Sequence, residues 1–134
     1  MVDEFINDDE MIWYDYSAGV PYASVAEYGI TLNNAAVKFF DNTNYIAIGA
    51  NPKTLIIAIK KTTEDDSRRI DFASKNKKGY VRINCKDFIK SINPQLPENV
   101  RIGKQARRFV ATWSNDILIV HLDQPMDDVE NKES

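Results

Sequence analysis

The chain predicts a β-rich α+β fold, two strand–short helix–β-hairpin units closing into a small β-barrel. Three observations carry that expectation. Short apolar runs at 45–49, 54–59, 109–113 and 117–122 have the length and the Ile/Val content of strands. Two short amphipathic stretches each follow a strand and an Asn. The order strand, Asn, short helix, hairpin then recurs, with Asn33 and Asn84 separated by 51 positions.

Met11 to Tyr16 suits a short strand, and Ser17 to Pro21 a turn. Ala23 to Leu32 is extended and broken near Gly29, after which Asn33 is the N-cap of a helix over 34–40. Tyr45 to Gly49 and Thr54 to Ile59 form a hairpin around Pro52. Residues 62–67 are a polar loop, and Ile70 and Phe72 share one face of a short strand. Ser74 to Gly79 is a basic turn. Tyr80 to Ile83 is a strand, with Asn84 capping a helix over 85–92 that Pro94 ends. Asn99 to Gly103 echoes the strand that ends at Ile48-Gly49. Phe109 to Trp113 and Ile117 to Leu122 pair as a second hairpin. One domain over 1–123 is expected, with repeat units 22–60 and 69–122 and an acidic, disordered tail over 124–134.

The 134 residues, 43% apolar and 28% charged, suit one globular domain without disulfides. No apolar run is long enough to span a membrane. The acidic start Met1-Val2-Asp3-Glu4 lacks the basic residues of a secretory signal, and a single Cys85 cannot form an internal disulfide. Both point to the cytoplasm. The net charge of −3 hides strong segregation. Residues 1–52 hold one basic side chain against eight acids, a charge of −7. Residues 53–108 hold fifteen against six, +9, and residues 109–134 one against six, −5. Segregation of this size concerns partners, not fold.

Gly79-Tyr80-Val81-Arg82-Ile83-Asn84, its following helix and hairpin 99–122 resemble the unit of the AbrB, SpoVT and tandem-repeat MraZ regulators. Tyr28-Gly29-Ile30-Thr31-Leu32-Asn33, with the helix over 34–40 and hairpin 45–60, offers a first copy. The family's strand pattern is Gly-Arg-aliphatic-x-aliphatic-Pro. Here its Arg is replaced by Tyr80 and Gly29, and its Pro by Asn84 and Asn33. The resemblance covers residues 22–122. It implies a swapped-hairpin barrel, a pseudo-dimer within one chain, and DNA-binding regulation.

The basic centre supplies the candidate site. Arg68, Arg69, Lys75, Lys77, Lys78 and Arg82 surround one predicted turn, and Lys104, Arg107 and Arg108 lie between the predicted strands of the second hairpin. Cations on turns can reach phosphates, and each phosphate neutralised releases counterions. The bland alternatives are a solvated surface, or internal pairing with Glu64-Asp65-Asp66 and the acidic tails. Trp13, Tyr14 and Tyr16 beside Asp8, Asp9 and Glu10 suit a protein contact, or a strand that covers the core. Cys85 at a helix start is a buried packing residue first, and His121 in an apolar strand is a histidine satisfied by hydrogen bonds or facing solvent. Gly49 to Thr54 lacks the second glycine of a phosphate loop and is a hairpin turn. No Gly-x-Ser-x-Gly and no His-Glu-x-x-His occurs.

The expectation is therefore a non-enzymatic regulator with no catalytic residue, metal or cofactor, binding nucleic acid, duplex DNA first. The alternative is a protein-interaction accessory module, of the kind phage or mobile elements carry, gripping a host protein through its acidic-aromatic start. A homodimer that completes the barrel is a third arrangement.

Overall fold

The computed structural model describes residues 19–77 and 79–126. In chain order they form β1 (Tyr22–Ala26), β2 (Gly29–Leu32), α1 (Asn34–Val37), β3 (Tyr45–Asn51), β4 (Ile56–Thr62) and β5 (Ile70–Asp71). There follow β6 (Asn76–Lys77), β7 (Tyr80–Asn84), α2 (Lys86–Ile92), β8 (Arg107–Ser114) and β9 (Ile117–Pro125). Short 3-10 turns extend α1 to Phe40 and α2 to Gln95.

The nine strands make one sheet in the order β5-β3-β4-β9-β8-β1-β2-β7-β6. Every pairing is antiparallel. β5 and β6 stand at opposite ends of that order, yet only residues 72–75 join them. Five extended residue steps reach at most about 18 Å. A flat sheet of this width would hold its edges roughly 38 Å apart at ~4.8 Å per strand. The sheet is therefore curled into a half-barrel, and one core fills the inside. Phe72 plugs the seam, 2% exposed, and its N–H donates to the Asn44 carbonyl at 2.8 Å.

The inward residues of every long strand join that core, from Ala23 and Val25 on β1 to Leu118, Val120 and Leu122 on β9. Ala36, Val37 and Phe40 close it from the first helix, and Ile89, Ile92 and Leu96 from the second. Trp113 stacks on Phe39 with centroids 4.9 Å apart and meets Phe40 edge-on at 5.2 Å.

Each hairpin has its own local cause. Asn115 and Asp116 both adopt positive φ, the geometry of the tight turn between β8 and β9, which short polar side chains tolerate. The β3–β4 turn sits at 52–55, slightly later than expected, and Asn51 Oδ1 accepts from the Lys53 N–H at 3.1 Å. Gly29 has φ +150°, and a Cβ there would collide with the Ile83 carbonyl oxygen. Only glycine lets β2 and β7 approach this closely. The predicted break near Gly29 is a hairpin between β1 and β2.

Strand, short helix and hairpin do occur twice, as β2–α1–β3–β4 and β7–α2–β8–β9. The sheet pairs β2 with β7 and β4 with β9, so the two units interlock. The expected residue match between them fails in two places. Residues 99–103 are not a strand. Residues 98–100 form a 3-10 turn, and Asn93 then takes the Ile102 backbone with both amide atoms, at 2.8 and 2.9 Å. The Gly103 carbonyl accepts from Glu27 N–H. With its backbone groups satisfied this way, the segment has no ladder to join. Nor is Asn84 a cap. It ends β7 opposite Gly29, and Cys85 precedes α2 without a side-chain cap. Asn33 is one, its Oδ1 accepting from Ala36 N–H at 3.1 Å.

Two further segments differ from expectation. The basic turn over 74–79 is a 3-10 turn at 73–75 followed by β6. β9 runs through Pro125, past the expected start of the tail, and Met126 N–H donates to the Arg108 carbonyl at 2.8 Å.

Candidate nucleic-acid interface

Alternation along β7 turns Val81 and Ile83 into the core and leaves Tyr80, Arg82 and Asn84 outside. The ladder then fixes what stands beside them. Arg82 is opposite Thr31, Thr31 opposite Ser24, and Ser24 opposite Arg108. Cross-strand partners share a face, so these four form one outward row over three strand spacings, about 14 Å. An arginine marks each end. The Arg82 guanidinium lies 4.2 Å from the Tyr28 ring centroid, and that of Arg108 5.5 Å from the Tyr22 ring. Ring faces attract the cations and fix the planar groups. Arg108 also takes part in further interactions.

The other expected cations are spread out. Arg107 is in β8 and not in a turn. It pairs opposite Val25 on the inward side, with its guanidinium 5.6 Å from the Phe109 ring centroid. Arg108 is in the same strand, so of the three cations expected between the strands of the second hairpin only Lys104 is in a loop, exposed before β8. Arg68 and Arg69 lie in the turn before β5. Arg68 pairs with Asp66 at 3.2 Å, and Arg69 sits 5.8 Å from the Tyr45 ring centroid while its Nη1 donates to the Asp66 carbonyl. Lys75 closes the following 3-10 turn and lines a groove with Ser74, Tyr80, Arg82 and Asn84. Lys77 lies in β6. Lys78, Trp13, Tyr14 and Tyr16 lie outside the described residues.

Asp66 organises its turn. It accepts from the Arg68 N–H at 2.8 Å and from the Thr62 hydroxyl at 2.7 Å. Those bonds and the Arg68 guanidinium lower its carboxyl from 3.8 to about 2. Burial instead pushes the Cys85 thiol up to about 11, partly countered by a hydrogen bond from the Ile30 backbone. It stays protonated at neutral pH and packs against the core. His121 Nε2 is 2.8 Å from the Thr112 hydroxyl on the neighbouring strand. Among the described residues, no three His, Cys, Asp or Glu side chains are grouped to hold a metal, and no helix is long and apolar enough to cross a membrane.

Sequence reasoning missed Tyr22 and Tyr28, because strand register, not spacing along the chain, sets them under arginines. It also missed a second groove, about 440 Å³, where Lys86, Lys90 and Arg101, with Glu27 among them, surround Ile89 and Pro94. The Lys86–Lys90 spacing on a helix was the available signal. No protein-family model, curated protein or solved structure matches the chain.

Proposed function

We propose that this chain is a small non-enzymatic nucleic-acid-binding regulator, with the outward face of β7, β2, β1 and β8 as its contact surface. The Arg82–Thr31–Ser24–Arg108 row carries the reading. Guanidiniums held on tyrosine rings lose less freedom on meeting a phosphate than free side chains do. Thr31 and Ser24 add short hydroxyls between them, suited to phosphate oxygens. Lys75, which lines one groove with Arg82, adds a third cation beside this face. The pairing of β2 with β7 and of β4 with β9 supports a further part of the reading. Two swapped-hairpin units would interlock within one chain, as the resemblance to AbrB-like regulators implies.

Fluorescence anisotropy with a labelled duplex and a labelled single strand, at about 50 and about 200 mM salt, tests this. Binding is expected to weaken steeply with salt. Arg82→Glu and Arg108→Glu should each cost about tenfold or more, the scale of a charged hydrogen bond, and flatten the salt dependence. Wild-type protein that binds neither probe at low salt, or variants that bind as the wild type does, would overturn the proposal.

A further inference from the structure

We infer that Tyr80 is a stacking platform for an unpaired base, so that the ligand of this surface is single-stranded nucleic acid. The inference rests on the proposed nucleic-acid reading and deepens it. Tyr80 is 44% exposed, and among the described residues Val20, at 38%, is the one other large apolar side chain that is exposed. A tyrosine ring this open on a strand contributes little to folding. Its neighbours suit a nucleotide. Arg82 is two residues along on the same face of β7, about 7 Å away, and Lys75 reaches the same groove from the 3-10 turn. The groove has a volume of about 380 Å³, within the 300–1,000 Å³ range of small-ligand sites. Asn84 and Ser74 complete its wall, offering an amide and a hydroxyl to base edges.

Two cations, one ring face and two neutral hydrogen-bonding groups match the phosphate, the flat face and the edge of one nucleotide. A base inside a duplex has both faces covered by its neighbours. It cannot reach a tyrosine ring without unstacking, whereas single strands bind on such rings over cationic grooves.

The test uses the full chain with labelled oligo(dT) of about 12 nucleotides and a duplex probe, comparing wild type, Tyr80→Ala, Tyr80→Phe and Arg82→Glu. Tyr80→Ala is expected to lose about 5- to 150-fold on oligo(dT), with a smaller loss on the duplex. Tyr80→Phe should stay within about twofold, since it retains the stacking face. A thermal melt of each variant checks the fold. Oligo(dT) binding that Arg82→Glu weakens and Tyr80→Ala does not would overturn the stacking site and leave the nucleic-acid reading standing. Equal losses on both probes, or a Tyr80→Phe loss as large as that of Tyr80→Ala, would also overturn it. Absence of wild-type binding to either probe at low salt would overturn both.

Discussion

Asn33 ties three pieces of backbone together with one side chain. Its Oδ1 accepts from Ala36 N–H at 3.1 Å and from Tyr22 N–H at 3.0 Å, and its Nδ2 donates to the Val20 carbonyl at 2.9 Å. The first bond caps α1, and the other two fasten the entry of β1 beside Tyr22, the ring under Arg108. Asn33→Ala is expected to cost about 2–3 kcal/mol in urea unfolding, since a cap is lost and two backbone groups are left without a partner. Asn33→Asp keeps the acceptor and loses the donor, so it should cost less than Asn33→Ala. Equal costs would show that the cap and the Tyr22 bond contribute nothing. Asn33 could be identified from the chain because its cap is local. Asn84 could not be separated from it, since both follow a strand and precede a helix. The difference is one residue of register: β7 keeps Asn84 in its ladder and hands the helix start to Cys85. Cys85 makes the same point in chemistry. A helix start favours a thiolate, but burial pushes this thiol up to about 11.

At the scale of elements, the turn over 62–69 is fastened by Asp66, whose carboxylate binds Thr62 and Arg68. Its folded value of about 2 lies below the free value of 3.8. The turn's stability from this ion is therefore full above about pH 4 and is lost as pH falls towards 2. A carboxyl titration followed by NMR should place the Asp66 midpoint near 2, and Thr62→Ala should move it up. A midpoint near 3.8 in the wild type would mean that these bonds do not hold the ion. The hairpins β3–β4 and β8–β9 were legible because Pro52, Asn115 and Asp116 are turn residues between runs of β-branched and aromatic residues. Residues 99–103 have apolar positions that suit a strand equally well, and Asn93 decides against it by taking the Ile102 backbone. Nothing near Ile102 in the chain announces that bond, which crosses nine residues.

For the whole molecule, the interlocked pairing is the controlling feature. β4 finds its second neighbour in β9, β1 in β8 and β2 in β7, so neither half of the chain completes a sheet alone. A fragment of residues 1–63 should lack the circular dichroism of a folded sheet, and full-length protein should unfold in one transition. A fragment with a native-like spectrum and a cooperative melt would disprove the interdependence. Leu118, fully buried and opposite Ile59 across the β4–β9 seam, is the matching point test. Leu118→Ala should cost about 2–5 kcal/mol, the range for truncation in a close-packed core.

The chain alone set the kind and the order of most elements: β-branched runs, turn residues and one Asn cap act over a few residues, where local sterics and hydrogen bonding dominate. It also set the charge segregation, with its +9 middle and acidic ends, because charge is a property of composition. The sheet order was decided by tertiary structure, and with it the candidate site. Arg82 and Arg108 stand 26 positions apart in the chain, and Tyr28 and Tyr22 lie farther still. They share one face only because β1 and β2 insert between β8 and β7. Which strands become neighbours depends on burying their inward side chains in one core, a requirement of the whole chain that no local pattern states.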